Sequence, residues 1–240
     1  MVQYVPDNTG RFSQRPHYTP GELDRECENI ISAFLRKRYG DVKFPVATDD
    51  LTRLIEQDTE DLDLYADLSE FGPDVEGVTE FRPGRKPSVK ISEKLTNNEH
   101  QENRLRTTLT HEYGHVRFHG YLWEIEPPQH DLLKQNPHAN KQICKRDGIL
   151  SAAQYDWMEW QAGYICGAIL MPVSHLRRVV ASYQEQNRVF GAVQESSVHG
   201  LKLVEEIKKN FQVSGDAARV RLTKLGILSD VAPTRSLFSA

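Results

Sequence analysis

Residues 111–115 read His-Glu-Tyr-Gly-His, two imidazoles four positions apart with a carboxylate next to the first. On an α-helix, residues four apart share a face, one turn above the other. His111 and His115 can therefore reach one metal ion. Neutral imidazole nitrogens bind Zn2+, and Glu112 is placed to take a proton from water that the metal has acidified. The chemistry this pattern serves is hydrolysis, although a motif this short also arises by chance. Two ligands leave the metal incomplete, so the reading requires a third on another element.

Leu105, Leu109, Tyr113 and Val116 recur at helical spacing and predict an amphipathic helix over about 103–119. A second helix is predicted over 152–170. It is apolar on most sides, through Trp157, Met158, Trp160, Ala162, Tyr164, Ile165, Ile169 and Leu170, and is therefore expected to be buried. Glu159 stands out there, because a buried carboxylate is costly unless paired or metal-bound. Ala162 and Gly163 follow it, small enough to let another helix approach and bring Glu159 against His111 and His115. Two His and one Glu leave a fourth position for water, the arrangement of a catalytic zinc. Asp156 is the competing third ligand; Glu124 and Glu126 are weaker choices. The longer pattern H-E-x-x-H-x-x-G-x-x-H is excluded, since Phe118 and Tyr121 hold its last two fixed positions. His119, one turn on from His115 on the same face, supports a ligand, faces substrate or is exposed, the last two being favoured. Tyr113 is expected to point away from the metal. Tyr155, Tyr164 and His119 are the candidates for an oxyanion donor.

The chain has 240 residues, a net charge of −4 and ordinary charged content, which fits a globular protein with no global drive toward nucleic acid or membranes. Its three cysteines, Cys27, Cys144 and Cys166, are odd in number and far apart, so a disulfide framework is not expected and a reducing compartment is. The N-terminus lacks the pattern of a signal peptide, and the longest apolar stretch, 164–173, is too short to span a membrane. A cytoplasmic location follows as the expectation.

Residues 1–20, polar and with three prolines, read as a loose leader. A helix is expected over 22–38 with Gly40 as its stop signal, and another after Thr48-Asp49-Asp50. Residues 75–81 and 87–91 alternate around Pro83-Gly84 and read as two adjacent strands. The pattern weakens over 120–151, where His130, His138 and Cys144 match no metal-site spacing and read as solvated loop residues. Residues 173–184 and 204–228 are expected to be helical, the latter with a turn at 213–215.

Several of these pieces, in this order, resemble the ImmA/IrrE metallopeptidases. They are Val75-Glu76-Gly77-Val78, the strand 88–91, the run from Arg104 through Thr108-Leu109 to His115, Glu159-Trp160-Gln161-Ala162 followed by Ala168 to Pro172, and the tail from Phe211 to Gly226. The resemblance implies a zinc-dependent protease with a gluzincin-like core, His111, His115 and Glu159 as metal ligands and Glu112 as catalytic base. It also implies a protein substrate of the helix-turn-helix repressor type. Gly163 and Ile165 depart from the family's residues, and the segment after the motif helix is longer than usual. Such an insertion could cover the cleft or hold a partner.

The expected fold is α+β: a mostly helical zincin-like core, a small β-sheet before the motif helix and a C-terminal helix-turn-helix-like segment. The expected organisation is a leader at 1–20, a metallopeptidase domain at 21–200 with the 120–151 insertion, and the tail at 201–240. The rival reading is a DNA-binding or metal-binding regulator. It uses the tail's local excess of Lys202, Lys208, Lys209, Arg219, Arg221 and Lys224 over Glu205, Glu206 and Asp216.

Overall fold

The computed structural model describes residues 2–125, 140–145 and 156–230. The architecture is mixed α+β, and the chain divides into two units, 1–170 and 171–240. No helix among the described residues is long and apolar enough to cross a membrane.

The first unit opens with a hairpin of β1 (Gln3–Pro6) and β2 (Gln14–His17), paired antiparallel. The segment read as a loose leader is thus ordered, and two residues explain why. Phe12 is buried with Phe81, Leu122, Trp123, Trp157 and Met158. Asp7 accepts hydrogen bonds from the Thr9 and Phe12 amides and from the Trp157 indole at 3.0–3.1 Å. Helix α1 (Pro20–Tyr39) starts at a capping box between Thr19 and Glu22 and stops at Gly40, whose φ of 74° is left-handed, as its glycine suggested. Helix α2 (Thr48–Glu56) and strand β3 (Asp61–Ala66) follow. Strands β4 (Val75–Glu80) and β5 (Ser88–Ser92) pair antiparallel. Next come α3 (Glu93–Thr96), α4 (Glu102–His119), α5 (Leu122–Ile125), β6 (Lys141–Lys145) and α6 (Trp157–Leu170).

The strands form one sheet in the order β3-β5-β4-β6. Strand β3 lies parallel to β5, while β6 lies antiparallel on the other side of β4. Strand β6 falls inside the segment that reads as irregular in the sequence.

Helix α4 carries the motif, and it is not the half-exposed amphipathic helix its leucine spacing suggested. Every residue from Arg106 to Val116 is buried. Polar side chains there are accommodated by local bonds. Thr107 and Thr110 donate to carbonyls one turn back, and Arg106 donates to the Val46 carbonyl. Helix α6 packs directly on α4, buried as expected. At the crossing, a Cβ on Gly114 would lie 3.0 Å from the Ala162 Cα, so these small residues set how closely the helices approach.

The second unit contains α7 (Val173–Asn187), β7 (Val193–Gln194), α8 (Val198–Phe211), α9 (Gly215–Lys224) and β8 (Leu228–Ser229). Ser197 and Ser214 cap α8 and α9 through their side-chain oxygens. Strand β7 pairs with β8, and the buried Arg221 donates to the Met171 carbonyl. These ties link Met171 and residues 193–194 to the tail, within the unit 171–240.

Candidate metal centre

One turn of α4 presents His111 and His115 to α6, and α6 returns Glu159. The Nε2 atoms of the two histidines are 3.2 Å apart. Glu159 places Oε2 3.0 Å from His111 Nε2 and Oε1 3.2 Å from His115 Nε2. Both imidazoles are fully buried, while the Glu159 side chain is 16% exposed. Burial pushes the Glu159 carboxyl up, but the charge and hydrogen bonds of His115 and His111 outweigh it and hold it well below the usual range. Of the competing ligands, Asp156 is not in this group, and Glu124 is exposed on α5. Glu126, His130, His138 and Tyr155 lie outside the described residues.

His119 is fully buried, which overturns its reading as exposed or substrate-facing. It stands in a chain whose proton order can be deduced from one end. Gln161 Nε2 donates to the Pro16 carbonyl at 3.0 Å, so its Oε1 faces His119 Nε2, also at 3.0 Å. A carbonyl only accepts, so His119 Nε2 carries the proton. Burial, with the charge of His115 next, pushes the His119 pKa down to about 3, so the ring is neutral and its Nδ1 is an acceptor. His119 Nδ1 lies 3.1 Å from His115 Nδ1. His115 therefore donates from Nδ1 and turns its Nε2 to Glu159 and His111. Nε2 then faces a carboxylate oxygen, an arrangement that calls for either a proton on the ring or a cation among the three groups. The donor set thus fits a metal ion.

Glu112 comes at the site from the sheet side. Thr79 Oγ1 on β4 donates to its Oε2 at 2.5 Å. Gly77, two residues earlier on that face, lies under the carboxylate, where any Cβ would overlap it. Burial raises the Glu112 pKa; His115, His111 and Thr79 pull it back, and Glu159 pushes it up. Oε1 is buried without a well-formed hydrogen bond to a described residue, and the Cys144 thiol lies against the carboxylate. Arg104 ties α4 to the same strand through a 2.6 Å ion pair with Glu76.

Strand β6 supplies two further groups. Gln142, with its amide nitrogen toward Glu159, donates to Oε1 at 3.1 Å and accepts from Arg11. Cys144 is buried, not the solvated loop residue expected, and forms a second metal-capable group with His111 and Glu112. Tyr113 does point away, its hydroxyl on Asp58 at 3.3 Å. Tyr164 donates to Asp24 at 3.0 Å and is committed there rather than to the site. Thr79, Gln142 and Pro16 have no motif of their own in the sequence, and Gly77 enters it only within the run Val75-Glu76-Gly77-Val78. They are recruited by strand pairing, which a single chain's periodicity does not reveal.

No family model matches the chain, and no curated protein matches its sequence.

Proposed function

We propose that this chain is a zinc-dependent peptidase of the ImmA/IrrE kind, with a zincin-like core. The observation that carries the reading is the convergence of His111 Nε2, His115 Nε2 and Glu159 with the Glu112 carboxylate beside them. A tetrahedral zinc with ligand distances of about 2.0–2.1 Å separates its ligand atoms by about 3.3 Å. The separations here are 3.0–3.2 Å. His111, His115 and Glu159 would hold the ion.

When bound, zinc supplies Lewis acidity: it acidifies water and favours negative charge on a peptide carbonyl oxygen. The protein's own residues do the rest. Glu112 takes the proton from the attacking water and returns it to the leaving amine. Thr79 fixes which oxygen of Glu112 is engaged, leaving Oε1 for proton transfer. Burial of Glu112 suits it to hold a proton between the two steps. His119 and Gln161 keep the His115 lone pair aimed at the ion, and Gln142 orients Glu159. The substrate class, a helix-turn-helix repressor, follows from the family resemblance in the sequence.

The test compares purified wild type with Glu159→Ala and Glu112→Gln. Expected are about one zinc per chain in wild type and in Glu112→Gln, loss of zinc in Glu159→Ala, and cleavage of a repressor encoded nearby by wild type alone. Full zinc in Glu159→Ala would remove Glu159 from the ligand set. No zinc in any form after reconstitution would end the peptidase reading.

A further inference from the structure

Strand β6 brings to the site a group that peptide hydrolysis does not use. Its register places Cys144 opposite Gly77 and Gln142 opposite Thr79. These are the two β4 residues that hold and make room for Glu112. Alternate side chains of β6 therefore reach the centre, Gln142 at Glu159 and Cys144 at Glu112 and His111. Cys144 is 1% exposed. Its Sγ, a His111 ring nitrogen and a Glu112 oxygen all lie within 4.8 Å of one another. Among the described residues two such groups occur, and His111 belongs to both. A second observation marks the same place: among the described residues Glu112 Oε1 is fully buried there without a well-formed hydrogen bond, with the Cys144 thiol against its carboxylate.

We propose that Cys144 is a fourth protein ligand of the metal held by His111, His115 and Glu159, so that the resting chain carries a closed Cys-His-His-Glu site. The proposal rests on the zinc reading above. Zinc–sulfur and zinc–nitrogen distances of about 2.3 and 2.0–2.1 Å put the two ligand atoms of one tetrahedral ion about 3.5 Å apart. Cys144 Sγ lies within 4.8 Å of a His111 ring nitrogen without an ion, about 1.3 Å beyond that separation at most; it does not share that range with both His115 and Glu159, so ligation also carries the thiol toward them. Gly77 offers no side chain to obstruct it. On ligation the S–H bond is replaced by a sulfur–metal bond, and the proton passes to the Glu112 carboxylate against the thiol. No electrons are transferred.

Four protein ligands make a closed site, whereas catalysis needs an open position. The structure also couples closure to peptide access. Strand β6 occupies the edge of β4 beside Glu112, where an extended peptide would add by main-chain hydrogen bonding. A peptide that takes this edge displaces β6, and so removes Cys144 from the metal and Gln142, which orients Glu159 in the resting chain, in the same exchange.

The test uses the full chain, stripped of metal and reloaded with Co2+, read by absorption. Expected in wild type are the visible bands of a tetrahedral site together with a near-ultraviolet thiolate-to-cobalt charge-transfer band. Cys144→Ser should lose the charge-transfer band and keep the visible ones. Visible bands without charge transfer in wild type would overturn the proposal while leaving the three-ligand site standing. A charge-transfer band that persists in Cys144→Ser would assign it to another cysteine and overturn the proposal as well. Absence of any cobalt spectrum would remove the metal reading and this proposal together.

Discussion

Gly77 is where a single atom decides the chemistry. A Cβ there would overlap the Glu112 carboxylate and displace the proposed base from its Thr79 hydrogen bond. Misplacing a reacting group by about an ångström costs about 100-fold in rate. Gly77→Ala should therefore lose about 100-fold in kcat/KM with its metal content unchanged. A near-normal rate would show that Glu112 is not positioned by this strand. Gln161 acts on the other side, two bonds removed from the metal through His119. Leucine at 161 cannot order that chain, so Gln161→Leu should weaken metal binding about 10- to 100-fold, measured by competition with a chelator. Unchanged affinity would remove the chain from the account. Of this site, His111, Glu112 and His115 were legible because one helical turn encodes them. Glu159 was legible as a charge in an apolar helix. His119 was misread because its partner, Gln161, lies 42 positions away, and nothing in the local pattern distinguishes a buried imidazole from an exposed one.

At the level of elements, helix α1 was read from its periodicity and its glycine stop at Gly40, while its Thr19 cap went unread inside the leader. The strands that escaped, β1, β2, β3, β6, β7 and β8, are short; β1 and β2 meet across a hairpin of polar residues, whereas β6 and its partner β4 lie far apart in sequence. The N-terminal hairpin shows how such an element is held. Asp7 gathers donors from Thr9, Phe12 and Trp157, and although burial opposes it, these bonds lower the carboxyl pKa below its ordinary 3.8. A depressed carboxylate stabilises the fold above its unfolded pKa and loses that contribution as pH falls through the folded value. Asp7→Asn should therefore be less stable than wild type at neutral pH. The difference should shrink as pH falls below 3.8, followed by urea denaturation at each pH. A gap that stays constant with pH would show that the carboxylate's charge is not what anchors the hairpin.

For the whole molecule, the surface charge bears on the rival reading of the tail as a DNA reader. The chain carries −4 overall. Within the second unit, Arg219 pairs with Glu195 and Asp216, Lys208 pairs with Glu205, and Arg221 is buried against Met171. At least three of the six cations counted in the sequence are thus engaged inside their own unit. A labelled duplex titrated with the full chain at about 150 mM salt should give no saturable anisotropy change. Salt-dependent binding there would revive the DNA reading. The hairpin has one more consequence. Its Pro16 carbonyl accepts from Gln161 and so terminates the chain that sets the His115 tautomer. Docking of residues 3–17 and capture of the ion are then thermodynamically linked, and linkage is reciprocal. Stripping the metal should speed amide exchange in the hairpin. Deleting the hairpin should weaken metal binding by the factor by which the metal tightens the hairpin.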